Sequence, residues 1–168
     1  MATYILVPDI PHTVAKSKTG KIVALKELKA ASLEAKDMKR IHNEIEILKE
    51  VKHENIVEMY EIIETPEACY IVMEYCQGGD LHQYVKEKKQ LDEYEVQSIV
   101  YQIAQGLKML YRKDIMHRDI KLQNLLRSTT DTSPTIKIAD FGLARYVPNY
   151  ASTICGTLPY MAPEMLKG

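Results

Sequence analysis

The sequence predicts an α+β protein of two lobes, a small β-rich N-terminal lobe with one helix and a mainly helical C-terminal lobe. Three observations predict this fold class. Runs of β-forming residues and one helical stretch fill the chain as far as Tyr75. Two adjacent glycines, Gly78 and Gly79, then interrupt the pattern. Beyond them apolar residues recur at helical spacing. We therefore place the first lobe at 1–75, a linker at 76–79 and the second lobe at 80–168.

The elements of the first lobe follow from local sequence. Pro8 and Pro11, with no glycine before Gly20, argue against a regular inner strand or a flexible phosphate-wrapping loop in residues 1–20. The remaining elements of this lobe are predicted from tight-turn residues, from β-rich runs and from one amphipathic stripe. The predicted elements are a turn at 18–21 leading into a strand at 22–28, a helix at 32–51, and an antiparallel pair of strands at 55–63 and 69–75.

The second lobe begins with a short helix and continues into a longer one. Asp92, with Glu95 three residues later, resembles an N-cap pair that opens the long helix. The apolar residues of that helix cover a face broad enough to require burial on more than one side. A segment rich in Ser, Thr and Asp, 127–135, predicts a surface loop between short β runs at 125–126 and 136–138.

Composition narrows the class of protein. A net charge of −1, from 22 basic and 23 acidic residues, gives no support to nucleic-acid or membrane-surface binding by the whole chain. Three cysteines without C-x-x-C spacing support neither a disulfide framework nor a zinc site. No segment has the pattern of a secretory signal or the length of an apolar membrane span. We expect a cytoplasmic protein with no nucleic-acid partner and no transmembrane segment.

Residues that carry chemistry follow one another in a fixed order. They are Lys26 after a β-rich Val-Ala-Leu run, Glu44 on the predicted helix, His117-Arg118-Asp119 with Lys121 and Asn124, Asp140-Phe141-Gly142, and Ala162-Pro163-Glu164. Taken alone, each motif has an ordinary structural explanation, because Asp-Phe-Gly can simply end a strand and His-Arg-Asp can be a surface ion pair. Their joint order and spacing indicate protein kinase chemistry.

From about residue 16 to 168 the chain resembles the eukaryotic protein kinase fold. Within that fold it is most similar to the ULK/Atg-type kinases that initiate autophagy. The likeness to this subfamily is carried by three stretches, 49–57, 72–81 and 137–146. The resemblance implies a kinase that uses ATP and Mg²⁺, phosphorylates Ser or Thr in protein substrates, acts in autophagy signalling and has regulatory protein partners.

The resemblance also implies a role for each motif residue. Lys26 would hold the α- and β-phosphates of ATP, with Glu44 fixing its side chain through an ion pair. Asp140 would bind the Mg²⁺ that bridges the β- and γ-phosphates, and Asn124 a second Mg²⁺. Asp119 would orient the substrate hydroxyl and accept its proton. The protein would thus supply positioning and charge neutralisation, and little covalent chemistry.

The acceptor and nucleotide specificities are expected from the same likeness. Lys121, two residues beyond Asp119, resembles the signature of serine/threonine kinases, which predicts Ser or Thr acceptors. Gatekeeper, linker and purine-contacting positions make up the expected adenosine site. These are Met73 as gatekeeper, the backbones of Glu74 and Cys76 towards adenine, Asp80 towards the ribose, and Ala24 with Leu126 on the two faces of the purine.

The segment after Asp140 matches the activation segment of the family. Thr153 occupies the activation-loop position, where a phosphate would pair with Arg118 and order the segment. The alternative is a loop hydroxyl that is never modified. Thr157 matches the threonine that contacts Asp119 and the substrate.

Two departures from the family pattern limit the expected activity. Counting back from Lys26, the glycine-rich phosphate loop falls on residues 4–9, which contain no glycine, and Asp9 would repel phosphate there. The sequence also ends soon after Glu164, without the helices that normally follow. We therefore expect weak or no transfer from this polypeptide. It is either a serine/threonine kinase represented by a fragment or an imperfect gene model, or a pseudokinase-like module that binds nucleotide or regulates a partner.

Overall fold

The computed structural model describes residues 5–6, 14–17, 19–29, 35–66, 68–147, 156–161 and 163. These residues form a five-stranded antiparallel sheet with one helix, followed by a mainly helical part that carries two small two-stranded sheets. The predicted α+β class is confirmed. Most of the predicted phosphate loop, together with Thr153 and Glu164, lies outside the described residues.

The elements are numbered in chain order. They are β1 (Ile5–Leu6), β2 (Val14–Lys16), β3 (Ile22–Lys29), α1 (Ala35–Glu50), β4 (Met59–Glu64), β5 (Ala68–Glu74), α2 (Leu81–Lys88), α3 (Glu93–Tyr111), β6 (Ile115–Met116), β7 (Leu125–Arg127), β8 (Ile136–Ile138) and β9 (Arg145–Tyr146). The part of the chain that the structure describes also includes short 3₁₀ turns at Leu122–Asn124 and Leu158–Tyr160.

The large sheet has the strand order β1-β2-β3-β5-β4. The predicted β2–β3 hairpin and the β4–β5 antiparallel pair are both present. The sequence argued against a regular inner strand within residues 1–20, and this expectation was wrong. Strand β2 lies in that range and pairs with β1 on one side and β3 on the other. Its first two residues, Val14 and Ala15, are buried apolar side chains. The strand begins after Pro11, so no proline removes a donor from its ladder.

Helix α1 lies between the sheet and the second part of the chain. Its buried face carries Glu44, Ile45, Ile47 and Leu48, which follow the helical repeat of an amphipathic segment. Ile47 and Leu48 pack into the main core together with Phe141. This core therefore joins α1 to the segment that carries the Asp-Phe-Gly motif.

Helix α3 begins at the predicted cap and leaves one side uncovered. The Asp92 carboxylate accepts a hydrogen bond of 2.8 Å from the Glu95 backbone N–H. Val96, Val100 and Tyr111, spaced along one side of α3, are 41%, 57% and 81% exposed. Within the described ranges no helix is both long and apolar enough to cross a bilayer.

The predicted surface loop at 127–135 requires one correction. Arg127 belongs to β7, opposite Ile136 of β8, and is only 8% exposed. Its guanidinium lies 3.8 Å from the centre of the Tyr84 ring. The Ser- and Thr-rich composition of the segment predicted an exposed loop. Arg127 is buried instead because it pairs with β8 and packs against Tyr84, which is distant in sequence. Residues 128–135 lie outside any strand or helix, as expected.

Candidate active site

The first group of site residues is an ion pair between the sheet and α1. Lys26 projects from β3, and its Nζ donates to Glu44 Oε1 at 2.7 Å and to Oε2 at 2.9 Å. Glu44 is 3% exposed, and a carboxylate so buried is tolerated only when it is paired. Lys26 Nζ also lies 3.5 Å from Asp140 Oδ1. One ammonium on the middle strand of the sheet is thus held between two carboxylates.

The second group is centred on Asp119, whose carboxylate receives three side-chain donors. Oδ2 accepts from Lys121 Nζ at 2.7 Å and from Asn124 Nδ2 at 3.0 Å, and Oδ1 accepts from Thr157 Oγ1 at 2.6 Å. Lys121 Nζ donates in turn to Thr157 Oγ1 at 3.0 Å. The structure therefore brings together four residues that were predicted separately.

The protonation state of Asp119 follows from these contacts. Burial favours the neutral acid, but hydrogen bonds from Lys121, Thr157 and Asn124 outweigh it and hold the pKa of the Asp119 carboxyl below its usual range. The carboxylate is therefore charged at neutral pH. A charged carboxylate held in place by these donors can accept a proton from a hydroxyl placed against it.

Glycine at position 156 permits the approach of Thr157. Gly156 has φ +120°, and a Cβ there would lie 2.8 Å from the carbonyl oxygen of Arg118. Any larger residue would push the chain away from the loop that carries Asp119. The contact between Thr157 and Asp119 thus depends on the absence of a side chain next to it.

Two non-glycine residues of the site have left-handed backbones. Arg118 has φ 67° and Asp140 has φ 60°, conformations that cost energy unless the surroundings hold them. Arg118 Nε donates to the carbonyl of Leu143 at 2.7 Å, and the Gly142 N–H lies 3.4 Å from Asp140 Oδ1. These contacts tie the two strained positions to the segment that follows Asp140.

His117 is a packing and hydrogen-bonding residue. Its ring packs edge-on against Phe141 with 4.9 Å between ring centroids, and its Nε2 lies 3.0 Å from the carbonyl oxygen of Ala139. Its Nδ1 accepts the Asp119 backbone N–H at 3.3 Å. Burial lowers the pKa of His117, against opposing contributions from Ala139, Asp140 and Asp119. The neutral ring therefore donates through Nε2 and braces the loop at Asp119.

Asp140 and Asn124 offer oxygen ligands of the type that Mg²⁺ prefers. The two Asn124 hydrogen bonds from Nδ2 both go to Asp119, which leaves Oδ1 as an acceptor. The Asp140 side chain is half-exposed. One carboxylate and one amide oxygen fit a cation that takes its other ligands from phosphates and water.

The predicted adenosine residues line the junction of the sheet and the linker. Ala24 lies opposite Met73 in the β3–β5 pair, and Leu126 forms a bridge with Asp80. The Cys76 N–H has no acceptor among the described residues. Burial raises the pKa of the Cys76 thiol to about 12, so the thiol is neutral.

Two of the predicted adenosine residues have structural contacts of their own. The Asp80 carboxylate caps α2, accepting the Gln83 N–H at 2.9 Å. Glu74 forms an ion pair of 2.9 Å with Lys137. The cap engages one oxygen of Asp80, Oδ1.

Sequence reasoning missed the contacts that hold α1 against the second part of the chain. Asn43 Nδ2 donates to the carbonyl of Ala144 at 2.9 Å. Glu50 accepts from Tyr146 Oη at 2.7 Å and from Lys113 Nζ at 2.9 Å. Asn43 and Glu50 lie two helical turns apart and share a face of α1, which is the only signal that the sequence contains.

The family model described as protein kinase domain matches residues 12–168. The chain is 43% identical over 152 residues to serine/threonine-protein kinase ULK1 of Homo sapiens, which covers 86% of this chain and 14% of that protein.

Two further relatives are also serine/threonine-protein kinases, at similar identity to the chain. Serine/threonine-protein kinase ATG1b of Arabidopsis thaliana is 41% identical over 150 residues, covering 88% of this chain and 21% of its own length. Serine/threonine-protein kinase atg1 of Dictyostelium discoideum is 42% identical over 157 residues, covering 89% and 24%. The chain spans a quarter or less of the length of these relatives.

Proposed function

This chain belongs to the protein kinase domain family, and from that premise we propose that it transfers the γ-phosphoryl group of ATP to serine or threonine hydroxyls of protein substrates. The observation that carries the proposal is the Asp119 cluster. A charged carboxylate, a lysine ammonium and a threonine hydroxyl lie within 3.0 Å of one another through direct hydrogen bonds. Phosphoryl transfer needs this combination of a proton acceptor and a neighbouring cation.

Each residue of the cluster has a distinct proposed role. Asp119 would orient the acceptor hydroxyl and take its proton as the oxygen attacks. Lys121 keeps Asp119 ionised and would neutralise negative charge that develops on the transferred group. Thr157 fixes the orientation of the carboxylate and forms part of the floor on which the substrate segment lies. The mutual contacts preorganise these groups before substrate binds.

The nucleotide site is proposed at the junction of the sheet, the linker 76–79 and the Asp140 segment. Kinases of this family generally use ATP together with Mg²⁺. ATP supplies the phosphoryl group, and Mg²⁺ supplies most of the charge neutralisation. Lys26, held by Glu44, would bind the α- and β-phosphates. Asp140 and the Oδ1 of Asn124 would hold Mg²⁺. The backbones of Glu74 and Cys76 and the apolar faces of Ala24 and Leu126 would hold adenine. Met73 would border it as gatekeeper, and Asp80 would reach the ribose.

A regulatory role is proposed for Thr153, on the basis of its sequence position. Arg118 uses Nε for the Leu143 carbonyl, and its Nη groups donate to no described residue. A phosphate on Thr153 would therefore find, beside Asp119, a guanidinium edge to which no described residue is bonded. Replacing Thr153 by Ala should lower transfer, and unchanged turnover in a sample shown to be phosphorylated at Thr153 would contradict this role.

Autophagy signalling is the cellular process that we propose, because stretches 49–57, 72–81 and 137–146 resemble the ULK/Atg-type kinases. The protein substrates and regulatory partners would then be those of such a pathway. A second function, a module that binds nucleotide without transferring phosphate, is favoured by the lack of glycine in residues 4–9. Slow transfer is what we expect from a kinase with this loop.

A paired measurement separates the two functions. The chain is incubated with radiolabelled ATP, Mg²⁺ and a Ser/Thr peptide library, and nucleotide binding is followed separately by the thermal shift with ATP and Mg²⁺. The kinase proposal predicts slow transfer that falls at least about 100-fold in Asp140→Asn. Glu54→Gln, an exposed charge loss elsewhere, serves as the control. Binding with no transfer above the Asp140→Asn background would support the second function instead.

A further inference from the structure

A second cleft opens on the C-terminal part, between α2, α3 and residues 128–135. Its volume is about 620 Å³, within the range of sites that hold small ligands or a few peptide side chains. None of the active-site residues described above lines it. Its floor is aliphatic, formed by Leu81, Ile99 and Ile136, and its rim carries hydroxyls, among them Ser98, Thr130 and Ser133.

The buried wall of this cleft carries a cation without a counter-charge. Arg127 is 8% exposed and has no carboxylate within ion-pair distance in the part of the chain that the structure describes. Among the described residues, its Nη1 and Nη2 donate only to the carbonyls of Gly78 and Asp131, at 3.4 and 3.3 Å. Its Nε has no hydrogen-bond partner within the described ranges. A buried charge held this way is costly, because desolvation is not offset by an opposite charge.

None of the acidic side chains around the cleft pairs with Arg127 among the described residues. The Glu95 carboxylate pairs with Lys88 at 3.0 Å and accepts the Tyr84 hydroxyl. The Asp92 carboxylate caps α3. Asp131 approaches Arg127 through its backbone carbonyl and not its carboxylate. Arg127 is therefore the one cation lining the cleft whose charge no described side chain neutralises.

The backbone of Arg127 is fixed by the linker. Its N–H donates to the carbonyl of Gly79 at 2.8 Å, and its carbonyl accepts the Gly78 N–H at 3.0 Å. A Cβ at Gly78 would lie 2.6 Å from Arg127 Cβ, so only glycine allows this close contact. The Tyr84 ring holds the guanidinium from the other side. The cation is thus preorganised, which lowers the cost of binding to it.

We propose that this cleft binds an acidic segment of a partner protein, with a carboxylate of the segment on Arg127 and an aliphatic side chain on the Leu81–Ile99–Ile136 floor. The aliphatic floor favours a peptide over a free anion. The single unpaired cation, with Asp92, Glu95 and Asp131 nearby, favours a singly charged carboxylate over a phosphate, which would meet repulsion from the walls. The proposal is independent of phosphoryl transfer.

The test uses the full chain and fluorescein-labelled peptide libraries. Eight-residue peptides carry Leu next to a fixed Glu, and matched libraries replace Glu by Gln or by phosphoserine. Binding is measured by fluorescence anisotropy. We expect the Glu library to bind about tenfold or more tightly than the Gln library, and more tightly than the phosphoserine library. Equal binding of Glu and Gln, stronger binding of phosphoserine, or no binding of any library would overturn the proposal.

Two sets of variants locate the binding. Arg127→Gln should lose the preference for Glu over Gln, and circular dichroism checks that it folds. Because a buried arginine can be needed for folding, the exposed rim residue Ser98 provides a second pair of variants. Ser98→Glu should weaken binding of the Glu library by about tenfold, whereas Ser98→Lys should leave it unchanged or strengthen it. The same response from both Ser98 variants would place the peptide elsewhere and refute the assignment.

Discussion

At the scale of single residues, Thr157 has a more specific part than its place in a loop suggests. Its hydroxyl donates to Asp119 and accepts from Lys121, so it lies between the base and the cation. Without it, one oxygen of Asp119 loses its donor and Lys121 loses one acceptor. The geometry of the proposed base is then less restricted.

We expect Thr157→Val, which keeps the shape and removes the hydroxyl, to lower the transfer rate about 10-fold or more, as loss of a hydrogen bond to a charged group predicts. Thr157→Ser keeps the hydroxyl and should retain most of the rate. Initial rates of peptide phosphorylation measure both. A valine variant as active as the serine variant would show that the hydroxyl does not position Asp119.

His117 predicts a pH dependence of folding stability. Burial lowers its pKa from the ordinary 6.5. Below about pH 6.5 the His117 ring therefore binds a proton more readily in the unfolded chain than in the folded chain. The stability contributed by the neutral ring is therefore complete above about pH 6.5 and is lost as the pH falls towards the lower folded value. The loss can reach about 1.4 kcal/mol for each pH unit in that window.

His117→Gln removes this titration and keeps a donor for Ala139. We expect its melting temperature to fall less than that of the natural chain between about pH 7.5 and about pH 5.5. The other histidines titrate in both proteins, so the difference between the two curves isolates His117. Parallel curves would mean that its ring is not held neutral by burial.

At the scale of elements, α1 is held in place at its middle and at its C-terminal end. Asn43 bonds to Ala144, and Glu50 bonds to Tyr146 of β9 and to Lys113. The hydrogen bond that Tyr146 donates to Glu50 raises the pKa of Tyr146 to about 12, with burial adding to it, so the phenol stays protonated and donates. This contact helps to keep Glu44 opposite Lys26.

Tyr146→Phe should remove the Glu50 contact and lower the free energy of unfolding by about 0.5 kcal/mol, a small value because Glu50 is solvent-screened. Amide exchange in α1 should accelerate more than exchange in α3. Tyr111→Phe, an exposed tyrosine on α3, is the matched control. Equal exchange of α1 in the two variants would show that Tyr146 does not hold the helix.

The long helices and the β4–β5 pair could be predicted from the sequence, whereas the shortest strands could not. α1, α3 and the β4–β5 pair were predictable because their apolar spacing is long and regular. Strands β6 and β9, of two residues each, are too short to show a period. The burial of Arg127 and the Glu50–Tyr146 contact depend on how distant segments dock, which no local pattern encodes.

The site was more predictable than the fold around it. Lys26, Glu44, Asp119, Asn124 and Asp140 occur in motifs whose chemistry leaves few substitutes, and the structure places them in two adjoining groups. The roles assigned to them stay predictions. The backbone conformations that position these residues, such as the left-handed backbone at Arg118, could not be predicted from residue type.

At the scale of the whole molecule, the uncovered side of α3 should govern behaviour at high concentration. Val96, Val100 and Tyr111 form an exposed apolar stripe on this helix, and exposed apolar patches promote association. We expect Val100→Lys to reduce association measured by light scattering, while Ser98→Lys, which adds the same charge on another face, changes it little. Equal effects would point to net charge and not to the stripe.

The left-handed backbone at Asp140 has a practical consequence for engineering this chain. Glycine would relieve a strain of about 1 kcal/mol at such a position, so a search for thermostable variants would favour Asp140→Gly. The same change would remove the proposed Mg²⁺ ligand. Heat resistance and catalysis thus make opposite demands on one residue, and any stability screen of this protein needs an activity assay beside it.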